Sequence, residues 1–317
     1  MSDYYVLDVD SGDRDAVLYP NVSNLEIYLE NEIYEVSKIE LTSGNILIPQ
    51  MDICGTNKSF QVDDTIITLD EKNYSDGNVF AQDLQTKLVG SSNVTGVSFD
   101  SNTYSLLFTG STDFTFKFKS GHNGYDINND ETTPHEVMGF TATDVSSSGN
   151  TLRSGAVNFN GPGALVLRLS SGSDIYGKDI YYHKPYYTGK IQLGKGARTK
   201  FIGGNDLVEH CFNSGKQTTL QSLRMEFFYS SAGKLIPYDF RNCNYTLKFK
   251  INCSKEKVIP KVSRDVSLPP PISMPEFEDA DRWEMYKVYI AIGVIVFMGV
   301  FTLIIAKPKT VPKPPIE

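Results

Sequence analysis

The sequence predicts a mainly β protein: a jelly-roll-like or related β-sandwich of one or two domains with one short helix, followed by a C-terminal transmembrane helix. Three observations support this class. Many short runs alternate apolar and polar residues, no strand–helix–strand alternation occurs, and one long uncharged apolar run lies near the C-terminus. The 317 residues are 40% hydrophobic and 12% aromatic, which is enough for a substantial core.

The first clear strand contains Leu25, Ile27 and Leu29, which alternate with polar or amphipathic neighbours. Further strands are predicted at KIEL, NILIPQMDI, TIITL, VSF, YSLLF, FTFKFK, ALVLRL, KIQL, SLRMEFFY and YTLKFKI. In CNYTLKFKINC, Cys243 and Cys253 end one alternating face. Their separation of about 33 Å in a strand exceeds the roughly 7 Å that a disulfide allows. We therefore predict that all four cysteines are buried thiols.

One helix is predicted within YSDGNVFAQDLQTKL, with Ser75 or Asp76 as its N-cap. Val79, Leu84 and Leu88 are expected to share its apolar face. The stretch GKGARTK has the Gly and Lys content of a phosphate loop but lacks the required spacing, so it is predicted to be an exposed basic hairpin.

A transmembrane helix is predicted from Val288 to Ala306, a run of 19 residues without a charge. At 1.5 Å per residue it is about 28 Å long, close to the thickness of a bilayer core. Trp283 and Tyr286 lie at one end as interfacial aromatic residues, and Lys307 and Lys309 close the other end.

These features divide the chain into a β-rich region (1–260), a proline-rich acidic spacer (261–282), the transmembrane helix (283–306) and a basic tail (307–317). The acidic, polar N-terminus does not have the pattern of a secretory signal. We therefore expect insertion after translation, with residues 1–282 on the cytosolic side. Lysine and arginine occur too evenly in the segments before and after the helix to fix its orientation in the membrane. The spacer is either semi-rigid polyproline or a flexible filler.

The stretch SGDRDAVLYPNVSNLEIYL, from Ser11 to Leu29, places Arg14 between Asp13 and Asp15 and then adds Tyr19 and Pro20. A guanidinium group binds carboxylates and backbone carbonyls with two donors at once. Pro20 favours an extended approach to the following strand. We expect these residues to clamp the N-terminal arm against the β region or a neighbour; a solvated turn is the alternative.

No catalytic, cofactor or metal site is predicted, and neither is a small-molecule substrate. The stretch DVDSGDRD does not match the spacing of an EF-hand loop, although a looser cation site stays open. The chain has four histidines, no GxSxG motif and a formal charge of −8, which argues against an enzyme and against a nucleic-acid surface.

The N-terminal stretch resembles the signature of a family of virion proteins from nucleocytoplasmic large DNA viruses, the group that includes chlorella viruses. The signature S-x-D-R-D followed by Y-P maps to Ser11, Asp13, Arg14, Asp15, Tyr19, Pro20 and Asn21. The resemblance continues through VSKIELTSGNILIP, MGF and LQSLRMEFFYSSAGKLIPYDFRNCNYTLKF. Gly12 stands where an arginine is common in the family, and Ala232 replaces a polar residue before Gly233.

The resemblance implies a minor capsid protein of a large icosahedral double-stranded DNA virus, which anchors the outer capsid shell to the inner viral membrane. Its partners would be the major capsid protein, other minor capsid proteins and the lipid bilayer, with weak genome contact by the basic tail. Loops such as GYDINNDETTPH would dock beneath the capsomers. The alternatives are a virion attachment protein that binds a host glycan or receptor and a cellular tail-anchored adaptor.

Overall fold

The computed structural model describes residues 4–177, 187–194, 197–204, 206–212, 218–254 and 280–305. They belong to two compact units, residues 1–257 and 258–317. The first unit is built mostly of antiparallel strands with one short helix, and the second contains a single apolar helix. The predicted mainly β class is confirmed. Most of the spacer, Ala306 and the tail with Lys307 and Lys309 lie outside the described residues.

Seventeen strands are described in the first unit. In chain order they are β1 Tyr4–Asp10, β2 Asn24–Leu47, β3 Ser59–Val62, β4 Thr65–Thr68, β5 Val94–Asp100, β6 Ser105–Gly110, β7 Thr115–Lys117, β8 Asp144–Ser146, β9 Thr151–Ala156, β10 Ala164–Ser171, β11 Asp174–Ile175, β12 Gly189–Gln192, β13 Arg198–Ile202, β14 Glu209–Cys211, β15 Thr218–Ser231, β16 Lys234–Pro237 and β17 Thr246–Cys253. The helices are α1 Gly77–Leu88 and α2 Ala280–Ile305, and a 3-10 turn spans Ser11–Asp13.

The largest sheet runs in the order β1-β17-β2-β15-β10-β11, with β12, β13, β14 and β16 attached to its strands. Its longest strand is β2, which pairs with β15 from Asn24 to Val36 and with β17 from Val36 to Asn45. The separate strands predicted at LEIYL, KIEL and NIL are therefore one strand. Near Val36, β2 changes its partner from β15 to β17 without a turn. Irregular pairing and the left-handed conformation of Glu35 (φ 59°) allow this change.

The large sheet and the loops packed on it enclose one hydrophobic core. Its residues include Leu25, Ile39, Leu167, Met225 and Phe249, all of which are essentially inaccessible to solvent. They come from strands far apart in sequence. The burial alternates in β17, as the predicted period of two requires, whereas Leu165, Val166 and Leu167 are buried in succession in β10. We call this part the large lobe.

Residues 53–159 form a second core, which we call the small lobe. It contains the sheets β4-β3-β7-β8 and β5-β6-β9 together with α1. Its centre is a group of phenylalanine rings, in which Phe108 and Phe116 meet edge to face with ring centroids 4.9 Å apart. In the part of this compact unit that the structure describes there are thus two large cores, beside a small cluster of Val166, Tyr187 and Phe228. The sequence left open whether the β-rich region has one domain or two.

Helix α1 begins after Asp76, whose side chain accepts a hydrogen bond from the Asn78 amide. Asp76 is thus the N-cap, one of the two predicted candidates. Leu84 and Leu88 are buried as expected, together with Phe80. The prediction for Val79 was wrong: it is 42% exposed, because the buried face turns toward Phe80 instead.

The four cysteines are thiols, in agreement with the strand-length argument for Cys243 and Cys253. Cys54 and Cys253 are buried, whereas Cys211 and Cys243 are only partly buried, so burial was overpredicted. The basic hairpin predicted at GKGARTK is also wrong. Strand β12 ends before the stretch and β13 begins within it at Arg198; among the described residues β12 pairs with β10 and β13 pairs with β2, not with each other.

Helix α2 contains a segment, Tyr286–Ile305, that is long and apolar enough to cross a membrane. None of that segment is buried within the protein, which distinguishes it from the core helix of a globular domain. Trp283, Tyr286 and Val288 are all more than half exposed. The predicted apolar run is therefore helical from Val288 to Ile305, and Trp283 and Tyr286 lie on the same helix.

Candidate functional site

The signature loop, residues 11–21, connects β1 to β2 and is fastened to the start of β17. Ser11 is fully buried. Its amide donates to the Tyr245 carbonyl at 3.0 Å, and its hydroxyl accepts from the Tyr245 amide at 2.8 Å. This reciprocal pair joins residues 234 positions apart, so the beginning and end of the large lobe are locked together.

Arg14 holds the loop closed. Its Nε donates to the Tyr19 carbonyl at 3.1 Å, while Nη1 donates to the Ser11 carbonyl at 2.9 Å and to Asn244 Oδ1 at 3.1 Å. The expected clamp is present, but all three partners are neutral oxygens rather than carboxylates. Asn244 was missed by the sequence analysis, because nothing in the local pattern RNCNY points to a residue 230 positions earlier.

Asp15 shapes the outer part of the loop. One carboxylate oxygen accepts from the amides of Val17 at 2.8 Å and Leu18 at 3.2 Å, and its carbonyl accepts from the Tyr19 amide at 2.8 Å. The turn therefore has fixed geometry, although Val17 is 90% exposed and Leu18 is 69% exposed. Asp13 and Pro20 are exposed on the same loop.

Two hollows flank the loop. The larger, which we call the trough, has a volume of about 640 Å³ and lies across β1, β17, β2 and β13. The smaller, the side groove, has a volume of about 320 Å³ and is lined by Leu18, Tyr19 and Tyr28. Asp10 and Asp13 line both hollows, so the two are adjacent.

Beneath the loop lies an aromatic cluster. The Tyr245 ring packs on Phe227 and Phe240, with ring centroids 4.8 and 5.2 Å away. Burial raises the pKa of Tyr245, and burial together with the Tyr28 hydroxyl raises the pKa of Tyr19. Both phenols are therefore neutral at physiological pH. The aromatic side chains that pack against the loop carry no charge.

A second polar site joins the two lobes. Lys234 is the first residue of β16. Its ammonium donates to the carbonyls of Ile127 at 2.8 Å and Glu131 at 2.6 Å, to Asn129 Oδ1 at 2.9 Å and, more weakly, to the Gly124 carbonyl at 3.4 Å. Four oxygens therefore accept hydrogen bonds from this one ammonium group. We call this arrangement the lysine latch. It holds much of the predicted docking loop GYDINNDETTPH against the large lobe.

Other bonds reinforce the same junction. Thr132 and Ser231 share a hydroxyl hydrogen bond of 3.2 Å, and Glu136 accepts from the Ser231 hydroxyl, also at 3.2 Å. Thr56 and Tyr229 are joined by a third hydrogen bond of 3.2 Å.

Within the described ranges, no three His, Cys, Asp or Glu side chains are grouped to hold a metal ion, so the looser cation site at DVDSGDRD is not found.

Comparison with known proteins gives no family. No family model matches the chain, and no curated protein matches it. Among solved structures, the mavirus penton protein is 10% identical and aligns over 80% of this chain and 100% of its own, with a TM-score of 0.37. A chain of the Sputnik virophage is 11% identical over 80% of this chain and 98% of its own, with a TM-score of 0.36. Both scores are below 0.5, and we take no function from them.

Proposed function

We propose that this chain is a structural protein of a large icosahedral double-stranded DNA virus, in which it anchors the outer capsid shell to the inner viral membrane. The β-rich unit would face the shell and contact the major capsid protein and other minor capsid proteins. The C-terminal helix would lie in the bilayer, and the basic tail would make weak contact with genome phosphates. The role is structural rather than catalytic.

One observation carries the proposal: a single chain combines a large β unit with a separate, fully exposed apolar helix of membrane-spanning length. Among the described residues nothing buries the segment Tyr286–Ile305, and lipid is the solvent that suits an apolar helix of this length. The resemblance of the N-terminal signature to virion proteins supplies the context for the other half of the bridge.

Bonds between distant residues make the β unit suited to a connecting role. Ser11 and Tyr245 tie the first and last strands of the large lobe together, and Lys234 ties the small lobe to it. Such a unit would hold its own contact surfaces at fixed positions relative to one another. Many weak contacts, repeated over a capsid lattice, would add up to firm attachment.

Two other functions compete with this proposal. A virion attachment protein would present the β unit on the outside of the particle to a glycan or receptor. The cysteines are thiols, and small extracellular domains more often rely on disulfides, which disfavours this alternative. A cellular tail-anchored adaptor would have the same architecture without any virion.

The test is chemical cross-linking of purified, intact virions that contain this chain, followed by mass spectrometry. We expect cross-links from residues 1–260 to the major capsid protein, and we expect them to decrease when detergent removes the membrane lipids. A chain carrying Ile295→Arg, which disrupts the apolar helix, should show the same decrease without detergent.

Three results would argue against the bridge. Absence of the chain from purified virions would favour the cellular adaptor. Labelling only by reagents restricted to the outer surface would favour the attachment protein. Capsid cross-links that are unaffected by both lipid removal and Ile295→Arg would separate the capsid role from membrane anchoring.

A further inference from the structure

The signature loop presents two aliphatic side chains to solvent, Val17 and Leu18, which we call the knob. They are 90% and 69% exposed, respectively. Asp15 fixes both of their amides, and Arg14 fixes the carbonyl of Tyr19 immediately after them. The knob is therefore held in place by specific bonds rather than left exposed by a mobile chain.

Because Val17 and Leu18 are exposed, they do not contribute to the core of the large lobe. Single exposed apolar residues are ordinary on protein surfaces, but here two adjacent ones stand at the tip of a braced turn, beside Tyr28, which is 72% exposed. An apolar projection with fixed backbone loses little conformational freedom when it binds, which is the property of an interface anchor.

The trough has the complementary features. Two rows of side chains cross four strands in register, one from Asp8 to Ile202 and the other from Asp10 to Lys200. At the β13 end of the trough, Ile202 is 73% exposed and presents an apolar side chain. Lys200, two residues earlier on the same strand, adds a positive charge there. In the second row, Asn45 Oδ1 is a buried acceptor that has no partner within the described part of the chain.

The order of these features along the surface is self-complementary. Asp10 and Asp13 line both the trough and the side groove, so they separate the Lys200 end from the knob. A two-fold rotation of such a patch places the knob of one copy over the Ile202 end of the other, and the reverse. It also brings Asp15, beside the knob, toward Lys200.

We propose that a second copy of this chain is the occupant of the trough, with the knob of each copy inserted into the trough of the other. In this arrangement the apolar knob meets the apolar Ile202, and Asp15 meets Lys200, while the acidic centres with Asp10 and Asp13 lie against each other. Lys248, whose ammonium lies 3.3 Å from the Asp8 carboxylate, offsets the acidic centre of the patch. The inference does not depend on the proposed function, since it uses the large lobe alone.

The first experiment measures self-association of the detergent-solubilised full chain by sedimentation. We expect a monomer–dimer equilibrium, and we expect Leu18→Asp to raise its dissociation constant about tenfold or more, since the charge would be buried in the contact. Ile66→Asp is the matched control, because Ile66 is 54% exposed on β4 in the small lobe. Its dissociation constant should equal that of the wild type, including any contribution from α2.

The second experiment identifies the contact. A chain with Leu18→Cys and a differently tagged chain with Ile202→Cys are mixed and treated with a short thiol cross-linker. A hybrid product is expected, and Ile66→Cys in place of Ile202→Cys should not give it. A monomer at all concentrations, equal dissociation constants for the Leu18→Asp and Ile66→Asp variants, or equal yields with both cysteine positions would each overturn the proposal.

Discussion

At the scale of single residues, Arg14 explains why the signature contains an arginine between two aspartates. The guanidinium closes the loop on the Ser11 and Tyr19 carbonyls and reaches Asn244 across the fold. Asp15 has a separate task, since it caps the amides of Val17 and Leu18. The two charged residues act on opposite sides of the same turn instead of pairing with each other.

We expect Arg14→Ala to lower the free energy of unfolding by about 2 kcal/mol, because hydrogen bonds from a charged donor contribute roughly that much. Arg14→Lys should recover only part of the loss, since an ammonium lacks the planar fork. Denaturant unfolding of the full chain in detergent measures both changes. Asp13→Asn, at an exposed position on the same turn, is the control and should stay within about 0.5 kcal/mol of the wild type. A lysine variant as stable as the wild type would contradict the clamp.

His135, at the junction of the lobes, is a buried residue with a pH consequence. Its Nδ1 lies 2.9 Å from the Thr133 hydroxyl, and its Nε2 lies 3.7 Å from the Glu136 carboxylate. The ring also packs near Phe118. Burial lowers the pKa of His135, while Glu136 opposes that effect without overcoming it. The folded protein therefore favours the neutral ring.

The sign of the pH effect follows from that lowered pKa. The unfolded chain takes up a proton near pH 6.5, before the folded one does, so stability is full above about 6.5 and declines as the pH falls toward the folded-state pKa of His135. Thermal unfolding between about pH 5.5 and 7.5 should show the decline, and His135→Gln should reduce it. His122→Gln, at an exposed position, should leave it unchanged. An identical decline in the His135→Gln variant would assign the effect to other groups.

At the scale of elements, the turn between β15 and β16 acts as the fastener of the small lobe. Ala232 and Gly233 adopt left-handed conformations there, with φ of 45° and 89°, which turns Lys234 toward the carbonyls of the opposite lobe. Burial lowers the pKa of Lys234, and the negative charges of Asp130 and Glu131 oppose that effect without overcoming it.

Lys234→Met should cost about 2 kcal/mol or more, because it leaves several carbonyl oxygens without their donor. We also expect faster hydrogen exchange in residues 121–131, the segment that the ammonium holds. Lys58→Met is the matched control: Lys58 makes an exposed ion pair with Glu71 at 2.8 Å, whose loss should cost less than about 1 kcal/mol. Unchanged exchange in the loop of the Lys234→Met variant would show that the other junction bonds suffice.

At the scale of the whole molecule, the chain contains a β unit and an apolar helix in separate units. The helix has no buried residue in its apolar segment, so its stability in water has no tertiary source. In the proposed function, a bilayer would supply an apolar environment for this segment. The membrane contact proposed above therefore depends on α2 alone, whatever the β unit binds.

Ile295→Arg places a charge near the middle of the segment Tyr286–Ile305. At that depth an arginine costs about 3 kcal/mol on insertion scales. We expect the fraction of the chain that resists alkaline extraction from membranes to fall sharply, whereas Ile295→Leu should leave it unchanged. Equal extraction of both variants would mean that the helix does not span the bilayer.

The sequence by itself determined the features that depend on local order. The period of two in YTLKFKI predicted β17, the uncharged run predicted α2, and the short polar side chains before the helical pattern predicted a cap at Ser75 or Asp76. Each signal is complete within a few residues, because alternation, apolar length and capping are local properties of the chain.

Only the tertiary structure decided which distant residues meet. It merged the predicted early strands into β2, joined Arg14 to Asn244, placed Lys234 among carbonyls about 105 positions earlier, and separated two cores that look alike in sequence. It also turned Val79 outward, since the packing of Phe80 against the small lobe sets the rotation of α1. These outcomes depend on which strands pair and on how their surfaces fit, and neither is encoded in a short window of sequence.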